Sequence, residues 1–306
     1  MSSYSIAASS KRVLVIGASG QVGRALCAAF GHTYAVVATS HQHVQPGQQQ
    51  VDLADAGGSL TRLYREMRPE IVLLAGGMCN VDGCELEPDV CQQVNVEGAR
   101  TVAENASEGG SMVVFFSTDH VFSSSRELHR ETDPVAPLNV YSESKARAEE
   151  IFRECLPDRH LIMRTSWVYG PDTYRRNFVL RLIDHVGQGR PLRVPEDQWG
   201  SPTWTEDLAR AVRFLVERGE TGTFHATGPE FVSRVRLATQ VCARFELDPA
   251  LIVPRPTSSL GQAALRPLNV HLDCQKLGGA GVEPFRTIEA GLDSLHASVT
   301  PVLERR

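Results

Sequence analysis

The stretch Arg12–Gly23 reads RVLVIGASGQVG and decides the fold. Its first part, Arg12–Gly17, is a short continuous apolar run, typical of a strand that is buried on both faces of a sheet. Glycines follow at positions 17, 20 and 23, and Arg24–Phe30 has the pattern of a helix. A glycine loop between a buried strand and a helix is the context of a dinucleotide-binding fingerprint. We therefore expect a phosphate-binding turn here.

Each glycine has a physical task in such a turn. Gly17 permits the tight turn, Gly20 lets the backbone approach a pyrophosphate, and Gly23 lets the helix pack closely on the strand. The amides at the helix N-terminus attract the phosphates. The predicted phosphate-binding residues are Gly17, Ser19, Gly20, Gln21, Val22 and Gly23.

The rest of the first half alternates apolar strands with helices. Strands are predicted at Tyr34–Thr39, Glu70–Ala75, Ser111–Ser117 and Arg159–Thr165, and helices at Leu60–Met67, Pro88–Asn105 and Tyr141–Cys155. This alternation argues for right-handed crossovers and an α/β fold with a doubly wound parallel Rossmann sheet.

After about residue 170 the pattern loosens. Helices are predicted at Arg176–Val186, Thr205–Val216, Ser233–Phe245 and Thr287–His296, strands at Pro191–Val194, Gly222–Ala226 and Leu268–Leu272, and a loop at Pro254–Pro267. We therefore predict a Rossmann domain over residues 1–170, to which residues 205–228 return. Residues 171–306 are predicted to form a smaller mixed α/β substrate lobe.

Composition bounds the class of protein. The 306 residues include 42% hydrophobic and 22% charged residues, as in ordinary soluble globular proteins. The net charge of −5 gives no electrostatic footprint for nucleic acid or an anionic membrane. No apolar run approaches the roughly 18 residues of a membrane helix. Residues 1–10 lack the apolar core of a signal peptide, so we expect a cytoplasmic location. The seven cysteines form no CxxC pair. We therefore expect reduced thiols and no metal site.

The stretch Tyr141-Ser142-Glu143-Ser144-Lys145 places a tyrosine and a lysine four residues apart. On a helix, these two side chains point the same way, one turn apart. We expect the Lys145 ammonium to lower the pKa of the Tyr141 phenol, so that the phenol can exchange a proton with an alkoxide or an alcohol. The alternative is an exposed helix turn that carries both residues by chance.

Thr118 lies near the end of the fourth predicted strand, where sheets of this type place their working groups. Its hydroxyl could hydrogen-bond the oxygen that Tyr141 protonates, whereas a structural role in a turn is the alternative. Because Tyr141 and Lys145 follow on the next helix, we favour a catalytic set of Thr118, Tyr141 and Lys145.

The residues after the second predicted strand bear on the cofactor. An acidic residue there would bind the ribose hydroxyls of NAD and repel the extra phosphate of NADP. Thr39-Ser40-His41 contains no acid, and no arginine or lysine occurs between Arg24 and Arg62. We therefore favour NADP(H) and keep NAD(H) as the alternative. The predicted contacts are Ser40 and His41, with Asp52 and Leu53 bordering the adenine.

Six motifs occur in order along the chain: GASGQVG, STDHVF, YSESK, RTSWVYGP, DQWGSPT and RPLNVHLD. Together they resemble the extended short-chain dehydrogenase/reductase superfamily and, within it, the dTDP-4-dehydrorhamnose reductase-like group. The resemblance covers Val13 to about Leu295. It implies an NAD(P)H-dependent reductase of the 4-keto group of a nucleotide-linked 6-deoxysugar. In that reaction Tyr141 would give the proton, and Lys145 would hold the nicotinamide ribose and lower the tyrosine pKa.

The resemblance also implies further site residues. On the cofactor side they are Ala75, Gly76 and Asn95, together with Tyr141 and Lys145; on the substrate side they are Asp119, Trp167, Asn177, Gln198 and Arg266. Trp167 would face the sugar, and the guanidinium of Arg266 would meet a diphosphate. For Trp167, Asn177, Gln198 and Arg266, a packing or loop-anchoring role is an equal alternative.

The chain departs from the pattern of the group at three places. His120 stands where the group usually has tyrosine, and Ser123–Ser125 stands where a glycine is usual. Ala75–Glu85 keeps a Val-Asp-x-Cys-Glu tail but changes the residues just before it. These positions fall near the expected nicotinamide and sugar pocket, so they bear on the substrate more than on the reaction.

Two alternatives to a sugar reductase follow. One is a sugar-nucleotide epimerase or dehydratase of the same superfamily. The other arises because GTFHATG, RPLNVHLDCQKL and EPFR are similar to the regulatory beta subunit of methionine adenosyltransferase. That subunit binds NADP and is the partner of an enzyme, so a catalytically silent regulatory subunit is the second alternative. The reductase group often forms dimers, which makes a homodimer the expected assembly if the chain oligomerises.

Overall fold

The structure is a computed structural model that describes residues 11–55, 58–124 and 128–303. Residues 1–10 and Ser125, on which two of the sequence-based expectations fall, lie outside these ranges. In chain order the strands are β1 (Arg12–Ile16), β2 (Ala35–Ser40), β3 (Gln49–Gln50), β4 (Ile71–Leu74), β5 (Met112–Thr118), β6 (Leu128–His129), β7 (His160–Thr165), β8 (Val168–Tyr169), β9 (Leu192–Pro195), β10 (Trp199–Gly200), β11 (Thr203–Trp204), β12 (Gly222–His225), β13 (Val232–Ser233), β14 (Ile252–Arg255) and β15 (His271–Leu272). The α-helices are α1 (Gln21–Phe30), α2 (Ser59–Met67), α3 (Val81–Leu86), α4 (Pro88–Cys91), α5 (Gly98–Gly109), α6 (Val140–Cys155), α7 (Phe178–Gly187), α8 (Thr205–Arg218), α9 (Arg234–Arg244), α10 (Gln275–Gly279) and α11 (Ile288–Leu303).

A parallel sheet forms the centre of the molecule. Its seven described strands lie in the order β12-β7-β5-β4-β1-β2-β3. The chain proceeds from β1 to β2 and β3 on one side, and then returns to place β4 and β5 on the other. This reversal opens a crevice at the carboxyl ends of β1 and β4, which is the ligand-binding edge of such sheets. The prediction of a doubly wound parallel sheet is confirmed.

Helices cover both faces of the sheet, which explains the unbroken apolar runs in its strands. Val13 and Val15 face a buried cluster that includes side chains of α1 and α8. Leu14 and Ile16 face the opposite cluster, with side chains of α2, α5 and α6. Alternate residues of β1 therefore stabilise opposite layers.

The second half of the chain builds a third buried cluster and also contributes to the sheet. The third cluster joins α7, α9 and α11 with the parallel pair β9–β14. In contrast, α8 packs on α1, and β12 pairs in parallel with β7. Residues of the second half therefore complete the sheet of the first. Across the described ranges, no helix has both the length and the apolar character needed to cross a bilayer.

The predicted helix Pro88–Asn105 is not a single α-helix. After α4 ends at Cys91, residues Gln92–Glu97 form a π-helical segment, and α5 follows without a break. A π-helical turn has one residue more than an α-helical turn, so it rotates the side chains that follow. Asn95 lies inside this segment and is buried.

Two other predicted boundaries are wrong. The predicted loop Pro254–Pro267 begins inside β14, because an edge strand of a two-stranded sheet tolerates a proline. The predicted strand Leu268–Leu272 shortens to His271–Leu272. Its first residue uses its backbone groups elsewhere, since the Leu268 amide donates to Ser124 Oγ at 2.6 Å and its carbonyl accepts from the Trp199 amide at 2.7 Å.

Candidate active site

The glycine loop follows β1 at the crevice and leaves no room for side chains at two positions. Gly17 has φ +88°, and a Cβ there would lie 2.5 Å from the amide nitrogen of Gly76. A Cβ on Gly23 would overlap the carbonyl oxygen of Gly17 and lie 2.8 Å from Ala18 Cα. The loop, the start of α1 and the Gly76 backbone therefore fit together only because these positions are glycine.

Gly20 differs from the other two glycines, because it faces open space. It is exposed, and a Cβ there would meet only the carbonyl oxygen of Gly17, at 3.4 Å. It also precedes α1, whose N-terminus has no side-chain cap. Uncapped amides beside an exposed glycine fit the diphosphate of a dinucleotide.

Ser40 and His41 follow the same edge of the sheet at the end of β2. The buried Ser40 hydroxyl accepts a hydrogen bond from the Ser19 amide at 3.0 Å and donates to Gln48 Oε1 at 2.7 Å. His41 Nε2 lies 3.3 Å from an oxygen of Asp52, and both side chains are about half exposed. Ser40 thus holds the glycine loop through the Ser19 amide, whereas His41 and Asp52 lie at the surface where a ligand can reach them.

The segment after β4 passes directly behind the glycine loop. The Ala75 amide donates to the Ile16 carbonyl at 2.9 Å, and Gly76 is the residue that Gly17 approaches. Leu53 covers Gly76 from the other side, since a Cβ on that glycine would lie 3.4 Å from Leu53 Cδ1. Val22 packs on the core from the first turn of α1.

Asn95 fixes the loop that follows Gly76. Its Oδ1 accepts from the Met78 amide at 2.8 Å, and its Nδ2 donates to the Met78 carbonyl at 2.9 Å. The same Nδ2 lies 3.0 Å from Ser144 Oγ, one residue before Lys145. Asn95 therefore joins the loop after β4 to α6 and acts as a positioning residue.

Gln21 and Asn177 connect the glycine loop to the second half of the chain. Asn177 Nδ2 donates to Gln21 Oε1 at 3.1 Å, and Gln21 Nε2 donates to the Val168 carbonyl at 3.2 Å. Asn177 also caps α7 by accepting from the Leu180 amide at 3.0 Å. The structure thus gives Asn177, predicted on the substrate side, a capping and anchoring role.

The start of α6 is fixed by its own cap, which sets the place of Tyr141. The Asn139 side chain accepts from the Ser142 amide at 2.9 Å, and the Ser142 hydroxyl accepts from the Asn139 amide at 3.1 Å. These two bonds form a capping box. Tyr141 therefore stands in the first turn of α6, beside the end of β5, where Thr118 is near enough to act on its phenol.

Burial dominates the electrostatics of both predicted catalytic side chains. It raises the pKa of Tyr141 above its ordinary value, and the nearby Cys79 raises it further, while Thr118 lowers it. Burial lowers the pKa of Lys145 to about 8. The Lys145 ammonium lies 4.0 Å above the centre of the Phe115 ring. The prediction that Lys145 lowers the pKa of Tyr141 is therefore wrong, because desolvation of the phenol outweighs any such effect.

Both oxygens of the Asp119 carboxylate, at the end of β5, accept hydrogen bonds from neighbouring hydroxyls. Thr118 Oγ1 donates to Asp119 Oδ1 at 3.1 Å and accepts from the His120 amide at 3.2 Å. Asp119 Oδ2 accepts from the Ser166 hydroxyl at 2.6 Å. The buried Asp119, predicted on the substrate side, therefore links the ends of β5 and β7 beneath Thr118 and Tyr141.

Trp167 is held in a strained backbone conformation at the end of β7. Its φ is +44°, which is unusual for a bulky residue and typical of functional sites. A Cβ on Gly200 would lie 2.5 Å from Trp167 Cε2, so the indole packs flat against that glycine. The structure thus presents Trp167 as a rigid wall.

Gln198 and Arg266 are engaged by groups of the protein. Gln198 Nε2 donates to Thr257 Oγ1 at 3.2 Å. Arg266 lies 2.9 Å from Asp82 Oδ2 and donates to the Ala264 carbonyl at 3.0 Å. For both residues, the contacts present in the structure anchor loops.

The chain is similar to known proteins over nearly its whole length. The family described as the RmlD substrate binding domain matches residues 11–300. The chain belongs to this family. A dTDP-4-dehydrorhamnose reductase of Streptomyces griseus is 33% identical over 287 residues, which cover 92% of this chain and 91% of that protein. The predicted resemblance to an extended short-chain dehydrogenase/reductase is confirmed, and so is the class of oxidoreductase.

Two further relatives of this RmlD-family chain bear on its function. The solved structure of a dTDP-4-dehydrorhamnose reductase from Bacillus anthracis str. Ames, in complex with NADP, has a TM-score of 0.86 and 28% sequence identity. The match covers 95% of this chain and all of that chain. The methionine adenosyltransferase 2 subunit beta of Pongo abelii is 29% identical over 291 residues, covering 90% of this chain and 85% of that protein.

His120, where this RmlD-family chain departs from the expected tyrosine, borders the phenol. The His120 and Tyr141 rings meet edge-on, with their centres 6.2 Å apart. Burial lowers the pKa of His120, so the imidazole is neutral. Its Nδ1 is buried and has no hydrogen-bond partner within the described ranges.

Sequence reasoning missed three residues of the RmlD-family site. Ser144 bridges Asn95 and α6, and Ser166 holds Asp119. Arg234, the first residue of α9, stacks on Trp167 with its guanidinium carbon 3.3 Å from the ring centre. Ser144 and Ser166 lie within the YSESK and RTSWVYGP motifs, but the motifs do not show what they bind, and no local pattern marks Arg234. Among the residues that the structure describes, no three His, Cys, Asp or Glu side chains could hold a metal ion.

Proposed function

We propose that this RmlD-family protein reduces the 4-keto group of a nucleotide-linked 4-keto-6-deoxysugar, with NADPH as reductant and Tyr141 as proton donor. The observation that carries the proposal is the placement of Tyr141, in the first turn of α6, next to Thr118 at the ligand-binding edge of the sheet. The reductase names of the relatives support it. Gly20 and the first turn of α1 would hold the cofactor diphosphate, with Gly76 and Leu53 forming an adjoining wall.

A bound reduced nicotinamide would supply the hydride to the carbonyl carbon of the sugar. The raised pKa of Tyr141 keeps its phenol protonated, which is the form that a proton donor needs. As negative charge develops on the carbonyl oxygen, the proton moves to it from the Tyr141 hydroxyl. Thr118 lies beside that hydroxyl, and because its own hydrogen is donated to Asp119, its role is to position Tyr141.

Arg176 supports NADP over NAD. In this fold an arginine near the end of the second strand accommodates the extra phosphate of NADP. The sequence near β2 supplies no such cation, but Arg176 Nη2 lies 3.1 Å from His43 Nε2 in the loop after β2. The His43 ring stacks on Tyr174, with ring centres 4.3 Å apart. A segment distant in sequence thus brings positive charge to this loop.

The similarity to methionine adenosyltransferase 2 subunit beta supports a second candidate, a regulatory subunit that binds NADP without turnover. An epimerase or dehydratase of the same superfamily is the other alternative. An epimerase would return the hydride to the sugar, so the reduced nicotinamide would not be consumed. A turnover assay that follows NADPH therefore separates the reductase from both alternatives.

The test follows NADPH absorbance when the protein is mixed with dTDP-linked 4-keto-6-deoxyhexoses. We expect net oxidation of NADPH. Tyr141→Phe should lower kcat by at least about 100-fold, because it removes the proton donor, and should leave the Kd for NADPH within about twofold. Tyr34→Phe is the matched control, since Tyr34 packs on Phe30 at the end of α1.

Two outcomes would contradict the proposal. Tight NADPH binding without oxidation by any sugar in the panel would favour the two alternatives, and an unchanged sugar would then point to the regulatory subunit. Undiminished turnover in Tyr141→Phe would show that another group gives the proton.

A further inference from the structure

Arg234 is held rigidly between two aromatic rings beside the candidate active site. Its guanidinium carbon lies 3.3 Å from the ring centre of Trp167 and 4.7 Å from that of Phe178. Its backbone amide donates to the Gln198 carbonyl at 2.9 Å. A planar guanidinium stacks well on aromatic faces while its N–H groups remain free in the plane. The structure therefore fixes the position of the charge and leaves its donors available.

The protein does not neutralise this charge. Over residues 11–55, 58–124 and 128–303, no side chain or carbonyl accepts a hydrogen bond from the Arg234 guanidinium, and no carboxylate pairs with it. Asp119 is the acidic group that acts on it, but both Asp119 oxygens already accept hydrogen bonds from Thr118 and Ser166. Burial lowers the pKa of Arg234 to about 9. Arg234 is only partly exposed, and an anionic ligand would supply the acceptor that its guanidinium lacks.

Two other arginines act on this region, which also contains the Asp119 carboxylate. The positive charge of Arg181 lowers the pKa of Arg234. The charges of Arg234 and Arg266 lower the pKa of His120 in the same way. Arg266 is already paired with Asp82. His120 adds a buried nitrogen that has no partner in the described part of the chain, beside the Tyr141 ring. Unused hydrogen-bonding capacity therefore lies on His120, beside the proposed proton donor, and on Arg234, beside Trp167.

We propose that Arg234 is a specificity-determining residue that binds an anionic group of the substrate beside Trp167. This inference rests on the proposed function, because it assumes a sugar nucleotide in the site. The anion that the proposed substrate supplies is the sugar-proximal phosphate of the diphosphate. A carboxylate at C6, which a 6-deoxysugar lacks, has the same chemistry, and the test separates the two. Arg266 was the predicted diphosphate partner, but its pairing with Asp82 leaves Arg234 as the guanidinium with free donors.

The test measures binding by calorimetry, with NADP-saturated protein and three probes: dTDP, dTDP-glucose and dTDP-glucuronate. Arg234→Gln should weaken binding by at least about tenfold, as expected for the loss of a charge-assisted hydrogen bond. Arg234→Lys, which keeps the charge, should lose less. Arg236→Gln is the matched control, because Arg236 is exposed on the same helix. If the phosphate is the anion, all three probes weaken; if the carboxylate is, only dTDP-glucuronate does.

Several results would overturn the inference. One is equal affinity of wild type and Arg234→Gln for all three probes, and another is no binding of any probe by the wild type. An equal loss of NADP affinity in Arg234→Gln would show a structural role instead. If Arg234→Gln does not fold, Arg234→Met is used in its place, because methionine keeps the packing against Trp167 and Phe178. This test measures binding, so a protein that binds the probes without turnover keeps this inference and loses only the proposed function. Conversely, if Arg234→Gln turns over normally in the NADPH assay, this inference fails and the proposed function stands.

Discussion

Among single residues, Lys145 carries a charge that the folded protein disfavours. Its ammonium is buried above the Phe115 ring, and burial lowers its pKa from 10.5 to about 8. Between these two values the unfolded chain binds more protons at this position than the folded protein does. The contribution of Lys145 to the free energy of unfolding must therefore rise with pH from about 8 to 10.5.

This linkage predicts the effect of removing the charge. In the cofactor-free protein, Lys145→Met should raise the free energy of unfolding at pH 7 by up to about 3 kcal/mol, since each pKa unit corresponds to about 1.4 kcal/mol. The gain should shrink above pH 8, as the wild-type lysine becomes neutral in the folded state. Urea unfolding at a series of pH values measures it, with the exposed Lys11→Met as control. A Lys145→Met protein that is less stable at neutral pH would contradict the prediction.

At this scale the sequence identified residues better than it identified their environments. The spacing of Tyr141 and Lys145 singled out both side chains, but spacing does not report burial, so the direction of the tyrosine pKa shift was wrong. Motifs also singled out Asn177 and Arg266, whose contacts within the protein depend on partners distant in sequence. Arg234 is an isolated arginine at the start of a helix, and nothing local marks it.

Among the elements, the loop between β1 and α1 separates a structural glycine from a ligand-facing one. Gly23→Ala should lower the free energy of unfolding by about 1–3 kcal/mol, because the new methyl group would overlap the Gly17 carbonyl. Gly20→Ala should change stability by less than about 1 kcal/mol, since Gly20 is exposed with φ −73°.

Cofactor binding should show a different pattern. Gly20→Ala should weaken NADPH by about tenfold or more, because its methyl group would occupy the approach to the diphosphate. Thermal unfolding and NADPH titration of the two variants provide the measurement. If Gly20→Ala binds NADPH normally, the diphosphate does not lie at the start of α1.

The sequence predicted most elements but not their irregularities. Apolar patterning located the central strands within a few residues, because strands buried on both faces have continuous apolar runs. It did not reveal the π-helical segment Gln92–Glu97, since one extra residue hardly changes the pattern. The burial of Asn95 within that segment therefore became apparent only from the structure.

For the molecule as a whole, the choice of cofactor depends on a contact between distant parts of the chain. Arg176 comes from the second half and meets His43 in the loop after β2. Arg176→Gln should raise the Kd for NADP by about tenfold, as one charge-assisted bond to a phosphate is lost, and leave that for NAD nearly unchanged. Fluorescence titrations with both cofactors test this, with the exposed Arg190→Gln as control. Equal weakening of NAD and NADP would contradict it.

The overall topology was predictable in outline only. The alternation of strands and helices gave the parallel sheet, because parallel strands need crossovers. The second half was harder, since its strands are short and several pair only with one other strand. That Arg176 would lie against the loop after β2 could not follow from any local pattern.

The path of the chain between the two buried regions constrains how the molecule can move. After β7 the chain leaves the sheet for the third cluster, re-enters the sheet core with α8 and β12, and re-enters again between Leu277 and Phe285. A large hinge rotation would have to bend every one of these connections at once. Substrate capture should therefore proceed by small sliding shifts of packed helices, and the cleft should keep nearly the same width whether or not a sugar nucleotide is bound.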